Sequence, residues 1–495
     1  MGIDDGPHSM SWEHATSRPS LPSPVSRSGT PAHSGSTFAT EELALLKDSS
    51  THDQAEDHEY QTAPVLTQEA FVSAGFTQRP SQYGVLGAIL SINGKGSREV
   101  PSDPRLYFNT NAPLSAIICG VQGSGKSHTV SVLLENMLIP RFSPIGATQK
   151  ALSALVLHFG EGGKTALPNE TAWLASSSID GVSAPPVQVY VSPSQLSTMR
   201  QVYGRLGKVV VEPLRLSEEE LDAQAFLSLM AVGSSDNAPL YMQTVLSILR
   251  DMGENFTYAE FKARLEGERQ GFNPAQRAGL KLRMQLLEGF LDTANMKHGQ
   301  SSRFAEGRLT IIDLSDPFID PAAACGLFEV ITRIFIRADI GTGKVLVVDE
   351  AHKYLAANKG NSGLTKALQS LIRQQRHLAM RVVISTQEPT VVPAVLLDLC
   401  SLAILHRFSS PAWWEHVAKH VSANVSEETF DQIVKLRTGE AIVLAPSGLG
   451  MVRDTREDDA RTGNLKRLTQ FGRRYLIIKS RQRITADGGT SILVV

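Results

Sequence analysis

Eight residues constrain this chain more than any others: Gly120-Val121-Gln122-Gly123-Ser124-Gly125-Lys126-Ser127. They fit the P-loop spacing G-x-x-x-x-G-K-[ST]. An apolar, β-rich run from Leu114 to Cys119 leads into them, and a helix-like run from His128 to Leu134 follows. Strand, glycine loop and helix together turn backbone N–H groups toward a phosphate. The glycines allow positive φ and a close approach of the ligand. Lys126 then reaches the β- and γ-phosphates of a nucleoside triphosphate, and the Ser127 hydroxyl meets Mg²⁺. Gly120, Gln122, Gly123, Ser124, Gly125 and His128 complete the set expected around the phosphates.

Composition sets the frame but names no partner. The chain has 495 residues, enough for one large domain or two to three ordinary ones, and a formal net charge of −2. Its three cysteines, Cys119, Cys325 and Cys400, are scattered through apolar segments. That argues against a disulfide framework or a zinc site and suits a reducing interior. The N-terminus is polar, with Asp4 and Asp5, and reads as no secretory signal. No apolar run is long enough to span a bilayer. Gly2 is followed by Gly6 where a myristoylation signal needs Ser or Thr. The expectation is a soluble intracellular protein without a membrane partner. Nothing in its sequence separates nucleus from cytoplasm.

Residues 1–78 read as a disordered tail, Ser/Pro-rich around Ser17–Pro24 and acidic around Asp53–Glu59. Residues 79–216 read as the first half of an α/β core. Val85 to Ile92 fits either a strand or a helix. Leu152–His158, Val187–Val191 and Val209–Val211 fit strands. Residues 217–305 read as a helical insertion. Ser217 with Glu220 and Thr257 with Glu260 both fit the capping box, each flanked by the apolar pair of a hydrophobic staple. Residues 306–450 return to strands, at Leu309–Leu314, Val345–Glu350, Arg381–Gln387 and Leu402–Arg407, with helices between them. Such near-continuous apolar strands imply a parallel sheet covered on both faces. Residues 451–495 form a basic segment carrying Arg467, Arg473, Arg474, Lys479, Arg481 and Arg483. A solvated face and a nucleic-acid contact are both open for it.

The natural partner of the P-loop is Val345-Leu346-Val347-Val348-Asp349-Glu350. An apolar strand ending in acids delivers Asp349 to the edge where open α/β sheets bind ligands. Asp349 would hold Mg²⁺, through water since Mg²⁺ keeps part of its hydration shell. Glu350 would polarise the attacking water. A third strand ends Ser385-Thr386-Gln387 and offers an amide that both donates and accepts.

Walker A, a long interval, a strand with Asp-Glu and a strand ending Ser-Thr-Gln together resemble the HerA/FtsK superfamily of P-loop ATPases. The resemblance runs from about Pro113 to Ala445. It includes Leu436-Arg437-Thr438-Gly439-Glu440-Ala441, similar to a late strand of HerA-like proteins. It implies a RecA-like P-loop NTPase core, with an added strand between the P-loop strand and the Asp-Glu strand. It also implies ATP and Mg²⁺ as cofactors. Arg376, 11 positions before Gln387, matches an arginine finger acting across a subunit interface, with Arg373 as its rival. A homo-oligomer, a hexameric ring, and DNA as the candidate track follow from the resemblance. The chain departs from the pattern at Glu388, where the family often has Arg, and at Gln375, where it usually has Gly. No N-terminal β-barrel of the HerA type is readable.

Other readings compete. Asp349-Glu350-Ala351-His352 spells a helicase DEAH box, but too little chain follows for a second RecA-like domain. Glu415 precedes the His416/His420 pair, where a zincin needs Glu after the first His. Gly341-Thr342-Gly343-Lys344 imitates half a P-loop but precedes a strand, so it reads as a turn. An ATP-gated scaffold or signalling ATPase without a DNA track is the main alternative to a motor. A small-molecule kinase would leave Gln387 and the Asp-Glu pair without roles.

Overall fold

Runs of Val, Ile and Leu too apolar for a one-sided sheet become the centre of a mixed sheet. The computed structural model describes residues 58–78, 82–94, 97–163, 165–230, 240–268, 271–292, 303–355, 363–421, 427–453 and 466–488. In chain order the strands are β1 (Val65–Thr67), β2 (Tyr83–Gly94), β3 (Ser97–Glu99), β4 (Arg105–Asn109), β5 (Ser115–Cys119), β6 (Ser153–His158), β7 (Val187–Val191) and β8 (Val209–Pro213). They continue with β9 (Leu309–Asp313), β10 (Lys344–Val348), β11 (Met380–Thr386), β12 (Leu402–Leu405), β13 (Glu440–Leu444), β14 (Leu449–Arg453), β15 (Lys466–Gln470) and β16 (Tyr475–Ser480).

Half of the sheet is parallel, in the order β12-β5-β11-β10-β6-β9-β7-β8. The P-loop strand β5 is separated from the Asp-Glu strand β10 by β11, the strand that ends at Gln387. This is the inserted-strand arrangement of a RecA-like P-loop NTPase core. Every residue of β5, β9, β10 and β11 is buried. Alternate side chains feed two separate cores, one on each face. Ile117, Leu155, Leu346 and Ile384 point to one, and Ile118, Val156, Val347 and Val383 to the other.

The helices divide between these faces. The first to follow the P-loop is α1 (Lys126–Leu138), which packs Val130, Leu133, Leu134 and Met137 on one face. Val202 and Tyr203 of α2 (Leu196–Gly204) join it there. The insertion comprises α3 (Ala223–Met230), α4 (Leu240–Met252), α5 (Tyr258–Glu268) and α6 (Pro274–Phe290). It covers the other face together with α7 (Pro321–Arg337) and α8 (Gly363–Gln374), through Phe226, Phe261, Leu287, Phe328 and Leu368. A clasp closes its base: the Leu216 amide donates to Phe290, the Asp292 amide to Leu216, and Arg303 pairs with Glu220.

One expectation is corrected here and two are sharpened. Residues 58–78, assigned to the tail, are ordered: Val65, Leu66, Ala70 and Phe71 are buried, and β1 pairs with β4 and β14. The tail reading overlooked that a short apolar stretch can be held by strands from elsewhere in the chain; residues 1–57 lie outside the described residues. The described part of the basic segment, left open between a solvated face and a nucleic-acid contact, carries two strands of the sheet, β15 and β16. β16 lies between β2 and β13, so segments far apart in the sequence build a mixed, mainly antiparallel flank, β15-β14-β1-β4-β2-β16-β13, in which only β14 and β1 run parallel. The Ser217/Glu220 capping box is present, but it caps a 3-10 turn, Glu218–Glu220, and the helix begins only at Ala223, where the Ala225 amide bonds Asp222. Val85–Ile92, left open between strand and helix, lies in β2.

Candidate nucleotide site

The P-loop has the backbone its glycines are needed for. Gly123 and Gly125 sit at φ 72° and 113°. Gly125 also faces Gly439, whose backbone atoms would lie 3.0 Å from any added Cβ. The loop is braced from outside: the Val121 amide donates to Arg407, and the Gly439 amide to Ser124. Gly439 belongs to the Leu436–Ala441 segment singled out in the sequence, which therefore acts as a buttress of the loop.

Lys126 is buried, and its Nζ donates to the Val121 carbonyl at 3.0 Å. Burial pulls its pKa down, and the negative fields of Glu350 and Asp349 oppose that pull. The acids that end β10 are thus within electrostatic reach of the P-loop lysine, though far away in sequence.

Asp349 is fixed by two residues the sequence reading did not assign. His158 at the end of β6 meets Oδ2 at 3.1 Å, and Asn169 Nδ2 donates to the same oxygen at 2.9 Å. Burial disfavours the Asp349 charge, but the bond and charge of His158 and the Asn169 amide outweigh it and hold the carboxyl below its usual range. His158 was legible only as the polar end of a strand. Asn169 carried no signal, because it arrives from a loop whose path depends on Tyr203 and Thr171.

Glu350 stands at φ 50°, a left-handed conformation unusual for this residue type. Gln387 Nε2 donates to both of its carboxylate oxygens, each at 3.0 Å. The structure therefore brings Lys126, Asp349, Glu350 and Gln387 to one edge of the parallel strands. The Glu388 carboxylate accepts from the Thr390 hydroxyl at 3.4 Å, and its backbone N–H and carbonyl both bond the Thr386 hydroxyl.

Arg376 is not in this group. It lies exposed in the turn between α8 and β11, and β11 runs seven residues before Gln387. At ~3.3 Å per residue that is a separation of roughly 20 Å or more. Arg373 is exposed at the end of α8. Behind them Arg381 is buried and donates to the carbonyls of Ala379, Thr110 and Asn111.

The last described residues wrap α1. Glu135, fully buried, accepts from Arg481 Nη1 at 2.7 Å, from the Ile484 and Thr485 amides, and from the Thr485 hydroxyl. His128 Nε2 donates to the Arg481 carbonyl at 2.7 Å, so this residue joins loop to strap. Arg483 pairs with Glu170. Two of the six basic residues are thus committed inside the fold. The buried His406 donates through Nδ1 to the Glu440 carbonyl and accepts from Thr129 at Nε2; burial lowers its pKa to about 4.

The remaining motifs resolve simply. Gly341 and Thr342 turn into β10, and Lys344 is spent on the Ile336 and Ala338 carbonyls. His420 pairs with Asp398. Among the described residues no group of three His, Cys, Asp or Glu could hold a metal by itself. A hydroxyl from Ser127 and a carboxylate from Asp349 are hard oxygen donors. They fit Mg²⁺, which completes its shell with water and substrate phosphates. No described helix is long and apolar enough to cross a membrane.

No protein-family model matches the chain. A probable helicase, MJ1565, of Methanocaldococcus jannaschii is 29% identical over 101 residues, which is 20% of this chain and 19% of that protein. VirB4 of Thermoanaerobacter pseudethanolicus aligns at 12% identity and a TM-score of 0.44, over 81% of this chain and 96% of that one. The bacterial conjugative coupling protein TrwB aligns at 12% identity and a TM-score of 0.41, over 76% and 87%.

Proposed function

We propose that this chain is a Mg²⁺-dependent ATP hydrolase working in a ring of HerA/FtsK type, a motor that translocates or remodels DNA. The observation that carries the hydrolase reading is the junction of Gln387 with both oxygens of Glu350 at the edge that also holds Lys126 and Asp349. A P-loop needs only a lysine and a hydroxyl to bind a nucleotide. A glutamate oriented by a neighbouring strand is what hydrolysis adds.

The reaction is in-line attack of water on the γ-phosphate. Lys126 neutralises phosphate charge, while Ser127 and Asp349 would hold the metal, which supplies further charge neutralisation when bound. Glu350 orients or deprotonates the water, and Gln387 senses the γ-phosphate from the adjacent strand. Arg376 lies too far along β11 to serve its own site, which supports its role as a finger for a neighbouring subunit. A homo-oligomer is then required, and the HerA/FtsK resemblance implies a hexamer.

A second reading, an ATP-gated scaffold without a DNA track, is favoured by one observation. Arg481 and Arg483 are bound to Glu135 and Glu170, which thins the basic surface a polymer could use. ATP turnover measured with and without duplex and single-stranded DNA separates the two. Stimulation supports the motor; robust turnover indifferent to every DNA sinks it. Native mass with and without ATP tests the ring.

A further inference from the structure

His352 was set aside as part of a chance DEAH spelling, and the hydrolysis scheme above gives it no task. Its position says otherwise. It lies on the 3-10 turn Ala351–Lys353 that follows the strained Glu350. That turn is anchored: Ala351 is fully buried, the Leu355 amide donates to its carbonyl, and Tyr354 Oη donates to the Asp349 carbonyl at 2.8 Å.

The imidazole bridges two strands. Its Nδ1 accepts the backbone N–H of Gln387 at 3.4 Å. That acceptor role puts the ring proton on Nε2, which faces Glu350 Oε2 at 3.4 Å. Gln387 in turn grips the same carboxylate. The result is a closed loop of three residues: the end of β10, the turn after it and the end of β11.

We propose that His352 is a positioning residue for hydrolysis, registering Gln387 against Glu350 across the β10–β11 edge. The proposal rests on the reading of Glu350 and Gln387 as catalytic. A positioning residue fixes the geometry of the reacting set without binding the substrate itself, so its loss falls on turnover.

The test is a double-mutant cycle in the full-length chain, read by steady-state ATP turnover and by affinity for a fluorescent ATP analogue. His352→Ala is expected to lower kcat about tenfold while analogue affinity stays within about twofold. His352→Asn keeps an acceptor near Nδ1 and should lose only about threefold. It also serves if the alanine variant does not fold. In a Gln387→Ala background the His352 change should cost nothing more, because the two act as a unit. Wild-type kcat in both His352 variants, or losses that multiply in the double variant, would overturn the proposal. Glu350→Gln is the control. If it turns over normally, the reading of Glu350 as catalytic fails and takes this proposal with it, whatever the His352 variants do.

Discussion

The two ends of β11 differ in kind. At its C-terminal end Lys126, Asp349, Glu350 and Gln387 are buried or half-buried and held: Lys126 by its own loop, Asp349 by His158 and Asn169, Glu350 by Gln387. At its N-terminal end Arg373 and Arg376 stand exposed on a turn, and only Arg381 beneath them is locked. One end is assembled within a single chain. The other presents charge outward. On the proposed reading, the contrast teaches that one chain can assemble its metal and water groups internally and still look to a neighbour for the finger cation.

The deepest cut across that contrast is Lys126→Ala. It should abolish ATP binding, a loss of at least about 100-fold measured by calorimetry; unchanged affinity would refute the P-loop assignment. Arg376→Ala should instead leave affinity intact and lower kcat on the order of 10³-fold. Mixing Arg376→Ala with Glu350→Gln subunits should restore part of the activity, since each supplies what the other lacks; mixed preparations that stay inactive would leave no role in trans. Glu350→Gln alone should bind ATP and turn over about 10²- to 10⁴-fold more slowly. Near-normal rates would move the base elsewhere. Arg381→Met should act on stability first, costing about 1–3 kcal/mol through carbonyls left without their donor. Chemical denaturation reads that loss, and an unchanged midpoint contradicts it. Arg373→Ala should change turnover by no more than about twofold. A loss as large as that of Arg376 would make it the better finger.

Much of the parallel half was legible because burial on both faces writes itself as unbroken apolar runs. β5, β10 and β11 stand where Cys119, Asp349 and Gln387 end such runs. The mainly antiparallel flank was far less legible. β1 has only three residues, and its partners lie about forty residues ahead, in β4, and nearly four hundred, in β14. No local pattern records a pairing at that range. The same holds for Asp349: its own strand announced it, but His158 and Asn169 reach it through tertiary placement. Arg481 and Arg483 show a further limit, since a run of basic residues reads the same in sequence whether it faces water or a buried Glu135.

The strap on α1 has a consequence for how the molecule comes into being. Gly87 on β2 pairs with Ser480 on β16, and Glu135 waits for the amides of Ile484 and Thr485. Contacts at such separation form late and slow a domain's folding. During synthesis the glycine loop emerges about 350 residues before the strap, so the wall behind its helix is missing until residues 475–485 have left the ribosome. Glu135 spends that interval as a carboxylate bound for the interior without its arginine. Nascent chains stalled before residue 475 should therefore fail to retain nucleotide.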